Sequence, residues 1–131
     1  MSSANVHPGI TSIGQISIIV QDLERATAFY RDVLGLPLLF AFPGLAFFDC
    51  AGVRLMLSKA ETPELDHPSS ILYFRVPDIN AGHQRLVEQG VKIVEGPRLI
   101  APMSTYDLWM SAFRDSEGNI HQLMAEVARS A

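Results

Sequence analysis

The sequence predicts an α+β fold made of two βαβββ modules whose curved mixed sheets enclose a cavity. Two observations carry that prediction. The first is a loose half-length repeat: "GQISIIVQDLERATAFYRDVLGL" from Gly14 and "SILYFRVPDINAGHQRLVEQGV" from Ser70 align Val20 with Val76, Asp22 with Asp78 and Leu23 with Ile79 at one common offset. The second is that each copy continues into further short apolar runs punctuated by turn residues. One half alone would leave an apolar sheet face and an edge uncovered, so two are expected to curve together. At 131 residues the chain reads as a single domain, 1–131, with module one at about 12–60 and module two at about 69–128.

In module one an apolar strand runs from Gln15 into Val20-Gln21-Asp22. Asp22 is placed to accept an orphan amide of the following helical turn. Leu23, Ala26, Phe29, Tyr30, Val33 and Leu34 then recur at helical spacing, and Gly35 and Pro37 stop the helix. Strands follow at 38–42, 45–49 and 53–58, with Gly44 and Ala51-Gly52 supplying turns. The Pro- and acid-rich stretch 59–69 joins the modules. In module two a strand at 71–76 leads to Asp78, a second cap, and Ile79, Gly82, Leu86 and Val87 give a shorter helical stripe ended by Gly90. Strands are expected at 92–95, 108–114 and 119–126, with Ser116-Glu117-Gly118 in the last turn. The segment 100–106 reads either as a loop bordering the cavity mouth or as a surface connection.

Composition excludes several function classes. The chain is 48% hydrophobic, ample for a core, and its net charge of −4 comes from scattered acids and bases. There is no basic stripe of a nucleic-acid binder and no single-sign tail. A lone cysteine, Cys50, excludes an internal disulfide and a multi-cysteine zinc site. The polar start, residues 1–11, lacks an apolar signal core, and no segment approaches the roughly 18 apolar residues of a membrane span. The expectation is a soluble, cytoplasmic protein with a small-molecule ligand and no nucleic-acid or membrane partner.

Period-two alternation sorts the strand residues. Ile16, Ile18 and Val20 suit a helix-packed face, as do Val53, Leu55 and Leu57, and Leu72, Phe74 and Val76. The opposite face then collects Gln15, Ser17, Arg54, Met56, Ser58, Tyr73, Arg75, Trp109, Ser111, Phe113, Gln122 and Met124. This is the mixed polar and apolar lining of a small-molecule pocket; its plain alternative is a solvated sheet face. Arg54 and Arg75 favour an anionic ligand group, Tyr73 orients a ligand, and Trp109 is a stacking surface. The phasing puts His121 on the helix side, away from the pocket.

A metal needs converging His, Asp, Glu or Cys ligands. Of the four histidines, His7 lies in the polar start, His67 in the linker and His83 on the exposed side of the second helix. His121 reaches the cavity only if a bulge shifts the last strand. Neither a metal nor another cofactor is expected. Gly14, Gly35 and Gly44 form no phosphate loop, and Ser17, Ser58 and Ser111 have no evident His–acid pair. No general base is evident on the cavity face.

The quoted segments, together with "FRDSEGNIHQLM" from Phe113, resemble the glyoxalase / bleomycin-resistance / extradiol dioxygenase family, the vicinal oxygen chelate superfamily. The resemblance covers nearly all of 13–127. It implies paired βαβββ modules with a metal and substrate between them, often in a homodimer. The family's closing strand pair usually carries Asp-Pro-Asp-Gly-Asn before a metal-ligand Glu. Carried over position by position, the family's ligands fall on Gln15, Met56, Ile71 and Gln122, two amides and two apolar residues. That departure puts glyoxalase I, epimerase and ring-cleaving chemistry in doubt, since each needs the ion to polarise oxygen. The reading is a glyoxalase-like protein that handles an anionic or aromatic small molecule without a family-type metal. The alternatives are a metal-dependent lyase, isomerase or dioxygenase with an unconventional ligand set, and a sequestering protein of the bleomycin-resistance type.

Overall fold

A computed structural model of the chain describes residues 6–129; the first five residues of the polar start lie outside it. The elements run β1 (Gln15–Ile19), α1 (Leu23–Ala28) with a π-helical turn (Phe29–Val33), β2 (Leu38–Phe42), β3 (Leu45–Cys50) and β4 (Val53–Ser58). After a short 3-10 turn (Pro63–Leu65) come β5 (Tyr73–Arg75), α2 (Ile79–Glu88), β6 (Ile93–Pro102), β7 (Tyr106–Arg114) and β8 (Ile120–Ala128). They build two four-stranded mixed sheets of the same order, β1-β4-β3-β2 and β5-β8-β7-β6. In each, the first strand pairs parallel with the last and the other pairs are antiparallel. The half-length repeat is therefore a repeat of topology.

Both helices start as their sequences dictate. Asp22 accepts from the Arg25 amide at 3.0 Å, and Asp78 from the amides of Asn80 at 3.0 Å and Ala81 at 3.1 Å. A cap of this kind contributes about 1 kcal/mol. The helical stripe from Leu23 does not stay α-helical. Its last turn widens, with the Leu34 amide donating to the Phe29 carbonyl at 3.0 Å, five residues back. Gly35, with φ of 75°, then supplies the left-handed residue that ends it.

Module two departs from expectation in its strands. β5 is only Tyr73–Arg75, shorter than 71–76. β6 runs through Gly96 and Pro97 to Pro102, so the loop expected at 100–106 shrinks to 103–105. Its register on β7 shifts between Glu95 and Arg98. An edge strand tolerates proline because its outward amide needs no ladder partner.

The helix-facing alternation holds in module one. Ile18, Val20, Ala46, Phe48, Leu55 and Leu57 are buried under Ala26 and Tyr30. In module two Ile79 and Leu86 of α2 cover Phe113, Leu123 and Ala125. Leu72 and Phe74 also pack on the first cluster, and Phe29, Val33 and Leu34 on the second. The two modules thus meet through their helix sides, and the sheets do not close on one another. No helix among the described residues is long and apolar enough to cross a membrane.

Candidate ligand site on the open sheet faces

The seam between the modules explains the side on which His121 lies. Its ring is fully buried, edge-on to Phe74 and Phe113. The Leu72 amide donates to Nδ1 at 3.1 Å. Because Nδ1 accepts, the neutral ring carries its proton on Nε2. That nitrogen lies 3.0 Å from Tyr30 Oη and 3.5 Å from Asp115 Oδ2. Tyr30 in turn donates to Asp115 Oδ2 at 2.6 Å. Asp115 also accepts from the amides of Glu117 and Asn119, both at 2.9 Å, and from the Asn119 side chain at 3.1 Å.

Burial by itself would raise the Asp115 pKa. The hydrogen bonds from His121, Tyr30 and Asn119 outweigh it and hold the carboxyl at about 2. Burial, and then the Asp115 charge, push the Tyr30 phenol far above its ordinary value, so it stays protonated. The rest of the same turn grips α1 from outside. Glu117 accepts from the amides of Gln21 at 2.7 Å and Asp22 at 3.1 Å, and Arg25 donates to the Ser116 carbonyl at 2.8 Å. The charged turn Asp115–Asn119 is thus a clasp holding module two onto the first helix of module one. In the sequence alone the same stretch reads only as a hairpin turn.

The other face of each sheet is open. Across the first sheet, Gln15 pairs with Arg54, Ser17 with Met56, and Met56 with Phe47, so these share one side. Gln15, Ser17 and Arg54 are exposed, and Met56 and Ser58 are half-buried. Gln15 Nε2 reaches Met56 Sδ at 3.7 Å, and the Arg54 guanidinium carbon lies 5.5 Å from the centre of the Phe47 ring. Across the second sheet, Tyr73 pairs with Gln122 and Arg75 with Met124. Tyr73 and Arg75 are exposed, and Gln122 and Met124 half-buried. Arg75 stands 3.8 Å from Glu126. The Gln122 carbonyl oxygen is buried without a hydrogen-bond donor among the described residues.

Three residues expected on this face are not there. Phe113 stands opposite His121, Ser111 opposite Leu123 and Trp109 opposite Ala125. Directly paired residues share a face, so all three belong to the helix side. Phe113 and Ser111 are buried, and Trp109 packs against the α2 cluster. The residues of β7 on the open face are instead Met110, Ala112 and Arg114, opposite Met124, Gln122 and Ile120. The hairpin itself holds the missed signal. Counting outward from Arg114 and Ile120, which flank the turn, puts Phe113 with His121. His83 also differs from expectation: it is half-buried, with its ring edge 3.9 Å from where a Cβ on Gly96 would lie.

The positions that the resemblance marks as metal ligands fit a metal poorly. Gln15 and Gln122 are neutral amides, Met56 is a thioether that already receives the Gln15 amide, and Ile71 has no donor atom. Two uncharged amides do not offset the desolvation of a divalent ion. Among the described residues no three His, Cys, Asp or Glu side chains gather to hold one.

Comparison with known proteins agrees with this architecture. The chain is 26% identical over 123 residues to the uncharacterized protein YraH of Bacillus subtilis (strain 168), covering 83% of this chain and 94% of that one. It is similar in structure to TnmS3, an antibiotic binding protein from Streptomyces sp. CB03234, with a TM-score of 0.74 and 28% identity. That match covers 92% of this chain and 99% of the other. The lactoylglutathione lyase of Agrobacterium tumefaciens shares the fold, with a TM-score of 0.69 at 20% identity over 89% of this chain and 95% of that chain. Residues 12–123 match the family described as the Glyoxalase/Bleomycin resistance protein/Dioxygenase superfamily, and the chain belongs to that superfamily.

Proposed function

We propose that this chain is a small-molecule-binding member of its superfamily that works without a family-type metal, in a cytoplasmic setting. The observation that carries the reading is the donor set on the open faces. Where the resemblance calls for metal ligands, the chain offers Gln15, Met56, Ile71 and Gln122. An amide oxygen with no donor, as at Gln122, suits a ligand that brings its own hydrogen. Gln15, Ser17, Arg54, Met56, Tyr73, Arg75 and Gln122 are the proposed contacts, with the two guanidiniums meeting an acidic group on the ligand.

Sequestration is favoured over catalysis because the carboxylates on the open faces, among the described residues, are already engaged by neighbouring donors. Asp49, opposite Arg54, accepts from the Gly52 amide at 3.1 Å, Glu95, opposite Ala112, lies 3.4 Å from Arg98, and Glu126 lies 3.8 Å from Arg75. The similarity to an antibiotic binding protein supports the same reading. The sheets of one chain leave these faces uncovered, so a homodimer is proposed to complete the cleft.

Elemental analysis of protein purified without chelator tests the metal-free claim. The expected result is far less than one equivalent of zinc, nickel, manganese or iron, and melting unchanged by EDTA or by added metal. One tightly held equivalent, lost on Gln122→Ala, overturns the reading. A thermal-shift screen of small organic acids then finds the ligand class, since a ligand at a hundred times its Kd stabilises by about 2.7 kcal/mol.

A further inference from the structure

The open face of the first sheet carries an unusual concentration of aromatic surface. Phe40 stands opposite Phe47 on β2 and β3, and Phe47 opposite Met56 on β4, which makes one continuous cross-strand rung. Phe42 lies one step along β2 on the same side. Ring centres are 4.8 Å apart for Phe40 and Phe47 and 5.4 Å for Phe40 and Phe42. Phe40 is 41% exposed and Phe42 57%, whereas Phe48, on the helix side of the same sheet, is fully buried. The sheet thus keeps a core phenylalanine on one side and a bare aromatic ledge on the other.

Two features say what the ledge takes. Arg54 lies over the Phe47 ring and joins no ion pair among the described residues. The nearest acid along its rung, Asp49, accepts from the Gly52 amide at 3.1 Å. An exposed guanidinium beside the ring, outside any ion pair among the described residues, brings a positive charge to the edge of the ledge. The second feature is Met56. A metal-binding member of the superfamily would place a ligand there; here a thioether extends the aromatic strip, and sulfur packs well on ring edges. From β4 across to β2 the rung spans about 10 Å, enough for two or three fused rings.

We infer that this face is a stacking ledge for a flat, conjugated organic anion, with Phe40, Phe42 and Phe47 under the rings and Arg54 on the acidic group. The inference rests on the small-molecule-binding reading above and narrows its ligand class.

Calorimetric titration of the full chain with anthraquinone-2-sulfonate tests it, with cyclohexanesulfonate and 2-(hydroxymethyl)anthraquinone as controls. Saturable binding of anthraquinone-2-sulfonate is expected, at least tenfold tighter than cyclohexanesulfonate. Phe40→Leu and Phe42→Leu change exposed side chains and leave the fold standing, as melting will verify. Each should weaken the aromatic sulfonate about fivefold. Arg54→Gln should weaken it about tenfold and leave the uncharged hydroxymethyl compound unaffected.

Equal affinity for the two sulfonates, indifferent to the phenylalanines, overturns the ledge while leaving small-molecule binding in place. No binding of the aromatic sulfonate also overturns it. If Phe40→Leu then breaks up a dimer seen by sedimentation, the ledge is covered by a second copy instead. The broader reading fails on separate grounds, by stoichiometric metal or by turnover.

Discussion

At His121 both ring nitrogens have a partner inside the seam between the modules. At Gln122, the next residue of the same strand, the amide oxygen is buried on the open face with no donor among the described residues. The contrast extends to the surroundings. The seam joins Tyr30, Asp115, His121 and the Leu72 amide into a network whose members satisfy one another. The open faces hold Gln15, Arg54, Tyr73 and Gln122 beside bare aromatic and thioether groups. A satisfied buried network makes one arrangement of the modules unique, because any displacement strands several polar groups together. The open faces lack that constraint, so their side chains are free to differ from those of relatives without disturbing the fold.

The sharpest way to break the contrast is to remove the group at the centre of the seam. Asp115→Ala would leave the Tyr30 hydroxyl and the amides of Glu117 and Asn119 without their acceptor. A cost of about 3 kcal/mol is expected, read by urea unfolding with the slope unchanged. A loss below about 1 kcal/mol would mean that the seam is looser than its distances imply.

The same group sets a pH signature. Its folded pKa of about 2 lies below the ordinary aspartate value near 3.9, so ionised Asp115 stabilises the fold fully above the unfolded value. That contribution is lost as pH falls through about 4 towards 2. The stability gap between the wild type and Asp115→Asn should therefore be constant above pH 5 and close across that window.

Much of this architecture could be read before any coordinates. The Val-x-Asp junctions located both helix starts because an aspartate cap is a local interaction, settled within three residues. In module one, alternation sorted Gln15, Ser17, Arg54 and Met56 from Ile16, Ile18 and Leu55, since one set is wholly apolar. β7 gave no such contrast. Trp109, Ser111 and Phe113 look no more or less buried than Met110, Ala112 and Arg114, and pairing with β8 decides between them. The aromatic ledge was missed for a related reason. Phe40 and Phe47 come together only through the β2–β3 register, which carries a shift between Leu38 and Phe40. The extension of β6 through Pro97 escaped notice because Gly-Pro reads locally as a breaker, and only an edge position makes it tolerable.

A milder perturbation of the seam is His121→Leu, which keeps roughly the volume and removes both ring nitrogens. Tyr30 retains its bond to Asp115, so the clasp survives. The half-buried Leu72 amide is left without its acceptor, and that orphan should cost about 1 kcal/mol. The value separates the imidazole's contribution from the carboxylate's. If His121→Leu costs as much as Asp115→Ala, the two act as one unit and the ring is indispensable to it.

The smallest effect is expected one residue further on. Gln122→Leu removes an acceptor that is buried and unpartnered and replaces it with an apolar group of similar size, beside Met124 and Ala112 on the same face. Nothing is orphaned by the change, and the desolvation of the amide is relieved. Stability should stay within about 0.5 kcal/mol of the wild type or rise by up to about 1 kcal/mol. Affinity for whichever organic acid the thermal-shift screen identifies should fall in the same variant. A substitution that spares or strengthens the fold and weakens the ligand marks a side chain retained for binding. A destabilisation comparable to that of His121→Leu would instead place Gln122 among the residues that hold the modules together, and the distinction between the two faces of β8 would be lost.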